Sequence, residues 1–174
     1  MTKRLGQKGA TFRDVLNAFH AMPNRPCTNS SFSNQCAIRV SHALMDCDVD
    51  LSGLNATRCW NDTSKYIGKH IIRAEEFGNA LKRKSLPGLG KLQTVEAGEY
   101  QTELNGKRGI VFFKDYWQRS GETIANRSGD HIDLWNQNRT TGYWFSWSRN
   151  FWESLSSDVS DRNKSREIWF WPFP

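Results

Sequence analysis

Cys36 is the residue of this chain best suited to covalent chemistry. It lies in the segment Asn34 to Ser41, NQCAIRVS, where apolar residues begin to recur at helical spacing. A thiol in the first turn of a helix faces unpaired backbone amides and the positive end of the helix dipole, and both favour the thiolate. The same amides can hold the oxyanion that forms when sulfur adds to a carbonyl. The pattern favours a nucleophilic cysteine slightly over an ordinary buried one.

His131 is the histidine best placed to exchange a proton with that cysteine. It stands near the start of Gly129 to Asn136, GDHIDLWN, whose alternating apolar residues predict a strand. Asp133, two residues on, projects to the same face of the strand. It either orients the imidazole ring or is an ordinary polar residue of a half-exposed strand. A cysteine followed much later by a histidine is the chain order of papain-like hydrolases and indicates a cysteine amidase.

The other histidines fit this role less well. His42 lies six residues after Cys36. That spacing is roughly 240° around the same helix, so its side chain is predicted to point away from the thiol. His20 ends a first predicted helix, and His70 precedes a third. Both are predicted to be surface or capping residues.

Helical patterns occupy the first half of the chain and strand patterns the second. Helices are predicted over residues 12–20, 36–47 and 72–84. Thr11 is the predicted cap of the first helix, with Asp14 in the capping-box position, and Ser33 or Asn34 caps the second. Strands are predicted over residues 109–113, 131–135, 142–147 and 167–171. This order predicts an α+β fold in which N-terminal helices pack on an antiparallel sheet, within a single domain spanning residues 1–174.

The composition favours an anionic partner. The net charge is +6 and the isoelectric point about 9.3, which suits nucleic acid, anionic lipid or acidic cell-wall peptide. Aromatic residues make up 13% of the chain and include eight tryptophans, which either line a groove or fill the core. The N-terminus lacks the apolar run of a secretory signal, and no segment has the length of a membrane span. We therefore expect a protein made in the cytoplasm without a signal peptide.

The four cysteines do not have the spacing of a zinc site. They stand at positions 27, 36, 47 and 59, with no Cys-x-x-Cys pair and no His-x-x-x-His partner. If Cys36 is free, at most one disulfide can form among the other three. Cys47 with Cys59 is the favoured pair.

Together, the segments around Cys36 and His131 resemble the family 4 amidase effectors of type VI secretion. That family belongs to the papain-like, NlpC-type superfamily of cell-wall amidases. The tail from Ser160 to Trp171 is similar to the family's closing strand, and the resemblance spans roughly residues 12–171. It implies a papain-like amidase in which Cys36 is the nucleophile and His131 the general base, with no metal or organic cofactor.

The resemblance also implies a third catalytic acid about eleven residues after the histidine, where this chain has Gly142, flanked by Thr140 and Thr141. Either the correspondence shifts in this loop or another group orients the imidazole. Asp133 is the nearest acid to His131 in the chain.

The resemblance further implies a toxin that type VI secretion machinery delivers into the periplasm of rival bacteria. Such a toxin cleaves the amide between γ-D-glutamate and meso-diaminopimelate in peptidoglycan stem peptides, and a cognate immunity protein blocks it. The aromatic segment from Trp135 to Trp152 is predicted to help form the cleft wall or the immunity-protein interface. One alternative is a Cys/His peptidase or transpeptidase acting on protein. Another is a non-catalytic module whose basic, tryptophan-rich surface binds glycan or single-stranded nucleic acid.

Overall fold

The computed structural model of this protein describes residues 5–6, 9–119, 121–141 and 162–174. The helices are α1 (Phe12–Ala21), α2 (Cys36–Asp46), α3 (Ala74–Arg83) and the short α4 (Tyr100–Glu103). The strands are β1 (Gln93–Val95), β2 (Lys107–Trp117), β3 (Gly129–Gln137), β4 (Arg139–Thr140) and β5 (Glu167–Pro172). The three predicted helices are confirmed, with ends shifted by one or two residues. The strand predicted over 142–147 lies outside the described residues.

Helix α1 begins where its capping residues predicted. The side chain of Thr11 accepts a hydrogen bond from the Asp14 amide at 3.3 Å, and the Asp14 carboxylate accepts one from the Thr11 amide at 2.9 Å. This reciprocal pair satisfies two amides that would otherwise lack partners at the helix start. The buried residues of the helix are Phe12, Val15 and Phe19. They recur at helical spacing and hold α1 against the core.

The sheet is antiparallel throughout, with the strand order β1-β5-β2-β3-β4. Ile110, Phe112, Ile132 and Leu134 project to the face covered by the helices. Val111, Phe113 and Trp135 project to the opposite face, where they pack with Tyr100 and Leu104. Since both faces of β2 are covered, its middle residues 110–113 form a continuous apolar run. The α+β architecture with helices on an antiparallel sheet is confirmed.

Trp135 belongs to the second of these clusters. It is 2% exposed, and its indole Nε1 donates a hydrogen bond to the Leu104 carbonyl at 2.8 Å. Its place is therefore in the core and not in a cleft wall. The rest of the aromatic segment up to Trp152 lies outside the described residues, apart from positions 136–141.

The disulfide joins Cys27 to Cys59, so the predicted pairing of Cys47 with Cys59 is wrong. Cys47 is a buried cysteine outside the disulfide. It caps the C-terminus of α2 and packs in the core beneath the helices. Cys27 lies in the loop after α1, which folds against the loop that carries Cys59. The pairing follows from this packing of two irregular segments, which no local pattern encodes.

Among the described residues, no helix is both long enough and apolar enough to cross a membrane.

Candidate active site

Cys36 is held at the start of α2 by the two residues before it. Its amide donates a hydrogen bond to the Asn34 side-chain oxygen at 3.1 Å. The residue at the N-cap position is Gln35, which makes no side-chain capping hydrogen bond, so the predicted cap at Ser33 or Asn34 is wrong. The Gln35 side chain turns the other way and donates to the Cys27 carbonyl at 3.0 Å. The disulfide between Cys27 and Cys59 thereby braces the loop that leads into the helix. Cys36 itself is half-buried and free.

Helix α2 is held in the core because residues 37–44 are all buried. Arg39 is among them, and its guanidinium donates to the Asn24 carbonyl at 3.2 Å and to the Phe19 carbonyl at 3.4 Å. Burial lowers the pKa of Arg39, against the opposing charge of Asp133. The arginine therefore ties the loop after α1 to the helix that carries the thiol.

His131 lies on β3 directly opposite Phe113 of β2. The Phe113 ring centroid lies 6.5 Å from that of the imidazole, and the Tyr116 ring centroid 6.1 Å from it. Gly129, two residues before the histidine, lies beneath the Trp117 indole, and a Cβ atom there would collide with the indole ring. The glycine of the sequence motif is thus needed for β2 and β3 to approach each other beside the histidine.

Asp133 lies within hydrogen-bonding reach of His131. Its Oδ2 is 3.3 Å from the imidazole Nε2, and the residue is 1% exposed. Its other oxygen accepts from the Leu134 amide at 2.7 Å and from the Thr141 hydroxyl at 2.6 Å. The contact with His131 agrees with the prediction that Asp133, two residues after His131, projects to the same face of the strand. The Thr141 contact lies next to Gly142, where the family resemblance placed an acid, and Gly142 itself lies outside the described residues.

The charge state of His131 follows from its neighbours. Burial acts to lower its pKa, but hydrogen bonds to Asp133 and to Cys36, together with the negative charges of both, outweigh burial and raise the pKa to about 9. The imidazole therefore carries a second proton at neutral pH. The structure thus brings together a thiol from the start of a helix, a protonated imidazole from a strand and a buried carboxylate behind it. This set can add sulfur to a carbonyl and protonate a leaving amine.

A second group of histidines occupies the interior. His42 Nδ1 lies 2.9 Å from His70 Nε2, and His70 Nδ1 lies 3.1 Å from the Asp62 carboxylate. The remaining nitrogen of His42 faces Asp46 at 3.4 Å. His70 is fully buried, so the prediction that it is a surface or capping residue is wrong. The sequence holds no periodic signal for this group, because the loop that carries Asp62 and His70 folds back onto α2 through tertiary contacts.

One cluster of the described residues has the donor types of a metal site. The ligand atoms of Cys27, Cys59 and Asp62 lie within 4.8 Å of one another. Both sulfur atoms are joined in the disulfide. The Asp62 carboxylate accepts hydrogen bonds from the Thr28 amide at 3.1 Å and the Ser64 hydroxyl at 2.7 Å. The cluster is therefore a covalently linked support for the loop before α2.

A thiol at a helix start, facing a histidine on an antiparallel sheet, is the arrangement of the papain-like proteins. The sequence profile of the family "type VI secretion system (T6SS), amidase effector protein 4", Tae4, matches residues 32–171. The chain belongs to this family. It is therefore a hydrolase of the peptidoglycan amidase class and an antibacterial type VI effector, as the resemblance of its two motifs implied.

Solved structures of family members share the fold. The chain is similar to Tae4 of Salmonella typhimurium, solved with the immunity protein Tai4, at 17% identity and a TM-score of 0.61; the match covers 94% of this chain and 98% of that one. It is likewise similar to Tae4 in the Tae4–Tai4 complex of Enterobacter cloacae, at 18% identity and a TM-score of 0.61, with 97% and 100% covered. Tae4 of Enterobacter cloacae alone gives a TM-score of 0.58 over the whole of both chains, at 18% identity. A comparison with curated proteins gives no match.

Proposed function

We propose that Cys36 and His131 cleave the amide between γ-D-glutamate and meso-diaminopimelate in peptidoglycan stem peptides. The observation that carries this proposal is the surroundings of His131: Asp133 lies 3.3 Å from its Nε2, and interactions with Asp133 and Cys36 raise the pKa of the imidazole to about 9. A histidine of this kind holds the proton that a leaving amine needs. Membership of an amidase family supplies the reaction type.

In the first half-reaction, Cys36 attacks the carbonyl carbon of the scissile amide as a thiolate, paired with the protonated His131. The amides of the first turn of α2 face the oxyanion that results. His131 donates its proton to the nitrogen of the departing diaminopimelate residue, the carbon–nitrogen bond breaks, and a thioester remains on Cys36. Asp133, anchored by Thr141 and the Leu134 amide, keeps the imidazole ring in position and balances its charge.

In the second half-reaction, water attacks the thioester carbonyl. His131, which gave up its proton in the first step, now takes one from the water. The carbon–sulfur bond breaks, the sulfur leaves as a thiolate, and the D-glutamyl product departs with a new carboxylate. The histidine is thus acid and then base, and the site returns to its starting state.

The biological setting follows from the same family. We infer that the chain is made in the cytoplasm, is delivered by the type VI machinery to the periplasm of a target bacterium and acts there on the cell wall. We also infer a cognate immunity protein that covers the active site, by analogy with the Tae4–Tai4 complexes. The net charge of +6 suits association with an anionic wall.

The test is digestion of purified diaminopimelate-type peptidoglycan, with fragments identified by mass spectrometry. We expect stem peptides ending at D-glutamate with the wild type and with Cys47→Ala, which removes the other cysteine that lies outside the disulfide. We expect none with Cys36→Ala. Intact muropeptides from folded, reduced wild-type protein would contradict the proposal. Products extended by an added amine would indicate a transpeptidase instead.

A further inference from the structure

The side chain of Arg162 lies close to the proposed catalytic pair without belonging to it. Its guanidinium carbon is 5.2 Å from the centroid of the Phe113 ring, and that ring is the cross-strand neighbour of His131. Its Nη1 donates to the Thr140 hydroxyl at 3.1 Å. Thr140 directly precedes Thr141, which holds the Asp133 carboxylate. Arg162 is therefore positioned by the same elements that position the histidine.

This guanidinium has no acidic partner in the described part of the chain. Other arginines do: Arg166 pairs with Asp115 at 3.3 Å and Arg73 with Glu76 at 2.8 Å. Arg162 is half-buried, so it has lost part of its hydration, and none of the described acidic residues supplies a counter-charge. Its planar fork retains donors that match the two oxygens of a carboxylate. An anionic ligand group would complete its environment.

Tyr116 supplies a second donor on the same side of the sheet. The register of β2 shifts between Phe113 and Trp117, where Asp115 takes a φ of 50° and its amide donates to the buried Asp130 carboxylate at 3.0 Å. This bulge places the Tyr116 ring beside the imidazole. The hydroxyl makes no hydrogen bond to any residue in the described ranges.

The Tyr116 hydroxyl is a permanent donor at neutral pH. Burial raises its pKa, while the nearby charge of Arg162 lowers it and that of Cys36 raises it. The hydroxyl therefore lies within electrostatic reach of both the guanidinium and the thiol. It remains protonated, as a donor to an anion must.

We propose that Arg162 and Tyr116 form a carboxylate-binding subsite that recognises the free α-carboxylate of the D-glutamyl residue at the cleaved bond. The proposal rests on the proposed function. Because this residue is linked through its side chain, its α-carboxylate stays free and lies only a few bonds from the scissile carbonyl. When the scissile carbonyl is bound at Cys36, the α-carboxylate of the same residue can therefore reach the side of the site where Arg162 lies. The subsite would select the substrate by charge as well as by shape.

The decisive experiment compares two synthetic stem peptides that differ at one group, the α-carboxylate or its neutral carboxamide. For the wild type we expect kcat/KM to favour the carboxylate peptide by roughly 10- to 100-fold, as charge-assisted hydrogen bonds usually provide. Arg162→Gln should abolish this preference by lowering kcat/KM for the carboxylate peptide only. Arg162→Lys should retain part of the preference. Tyr116→Phe should reduce the preference to a smaller extent.

Lys164→Gln is the matched control, since it removes the same charge from an exposed position two residues away. It should leave the preference unchanged. Equal cleavage of both peptides by the wild type, or an Arg162→Gln variant that slows both peptides equally, would overturn the subsite while leaving the amidase intact. Cleavage of neither peptide by the wild type would overturn the proposed function and the subsite together. Thermal unfolding of each variant identifies any loss due to misfolding.

Discussion

Two of the histidine–aspartate contacts in the described residues differ in their surroundings: His131 with Asp133 adjoins the Cys36 thiol, whereas His70 with Asp62 lies in the interior away from it. In the pair at the site, the His131 side chain is 18% exposed and that of Asp133 is 2% exposed. In the interior pair, the side chains of His70 and Asp62 are both 0% exposed. The distances are similar, at 3.3 Å and 3.1 Å. The distance between histidine and aspartate therefore does not by itself distinguish a candidate reactive site from a structural pair.

The direction of the pKa shift does separate them. For His70, burial lowers the pKa and outweighs the charge of Asp62. Burial likewise lowers the pKa of His42, in part with the help of His70. For His131, the two negative partners overcome burial and raise the pKa to about 9. The interior histidines are neutral at neutral pH, whereas His131 is protonated and has a proton to give.

The largest difference between the pairs should appear when each histidine is removed. His131→Ala takes away both the acid and the base, so we expect kcat/KM to fall by about 10²- to 10⁴-fold while the fold persists. Peptide hydrolysis followed by mass spectrometry measures this loss. Activity close to that of the wild type would mean that another group transfers the proton.

His70→Ala should instead affect stability. It removes one hydrogen bond from the buried Asp62 carboxylate and leaves a nitrogen of His42 without its partner. The loss of such a buried partner costs about 1–3 kcal/mol of unfolding free energy. Denaturant unfolding measures the change. The folded fraction should retain its kcat/KM, and a selective loss of turnover would show that the interior group is coupled to catalysis.

Asp133→Asn tests the charge behind the reactive histidine. We expect the pKa of His131 to fall toward its ordinary value of about 6.5 and kcat to drop by roughly tenfold. In a pH–rate profile, the alkaline limb should move to lower pH. Asp62→Asn is the paired control in the interior, and its profile should keep the wild-type midpoint. An unmoved midpoint in Asp133→Asn would exclude this carboxylate as the source of the shift.

The smallest expected effect is a pair of opposite pH dependences of stability. Because the folded pKa of His131 is raised, its stabilising contribution is complete below about pH 6.5 and is lost as the pH rises toward about 9. Because the folded pKa values of His42 and His70 are lowered, stability falls as the pH drops below about 6.5. Each histidine changes the slope of the unfolding free energy against pH by at most about 1.4 kcal/mol per pH unit.

Unfolding free energies measured from pH 5 to pH 10 check these windows. His131→Gln should reduce the dependence of the unfolding free energy on pH only in the alkaline range. His42→Gln should reduce it only in the range just below neutral pH. A variant that reduces it in the opposite range would reverse the assignment of charge states.

Local patterns were enough to predict the elements that present the chemistry. The spacing of Phe12, Val15 and Phe19 predicted α1, and the alternation after Gly129 predicted β3. The contact between His131 and Asp133 follows from a separation of two on a strand, so it too was within reach of the sequence. Contacts of this kind join residues that are close in the chain, where backbone periodicity fixes the geometry.

Contacts between distant segments could be decided only by the tertiary structure. The pairing of Cys27 with Cys59, the burial of His70 and the place of Arg162 over Phe113 each join separate parts of the chain. The charge states of the histidines also depend on the tertiary structure, because burial and neighbouring charges set them. The sequence by itself determined which residues are the candidates for the chemistry and on which elements they lie. The tertiary structure decided which histidine is charged and which cation faces the site, because desolvation and charge interactions depend on distance in space and not on separation along the chain.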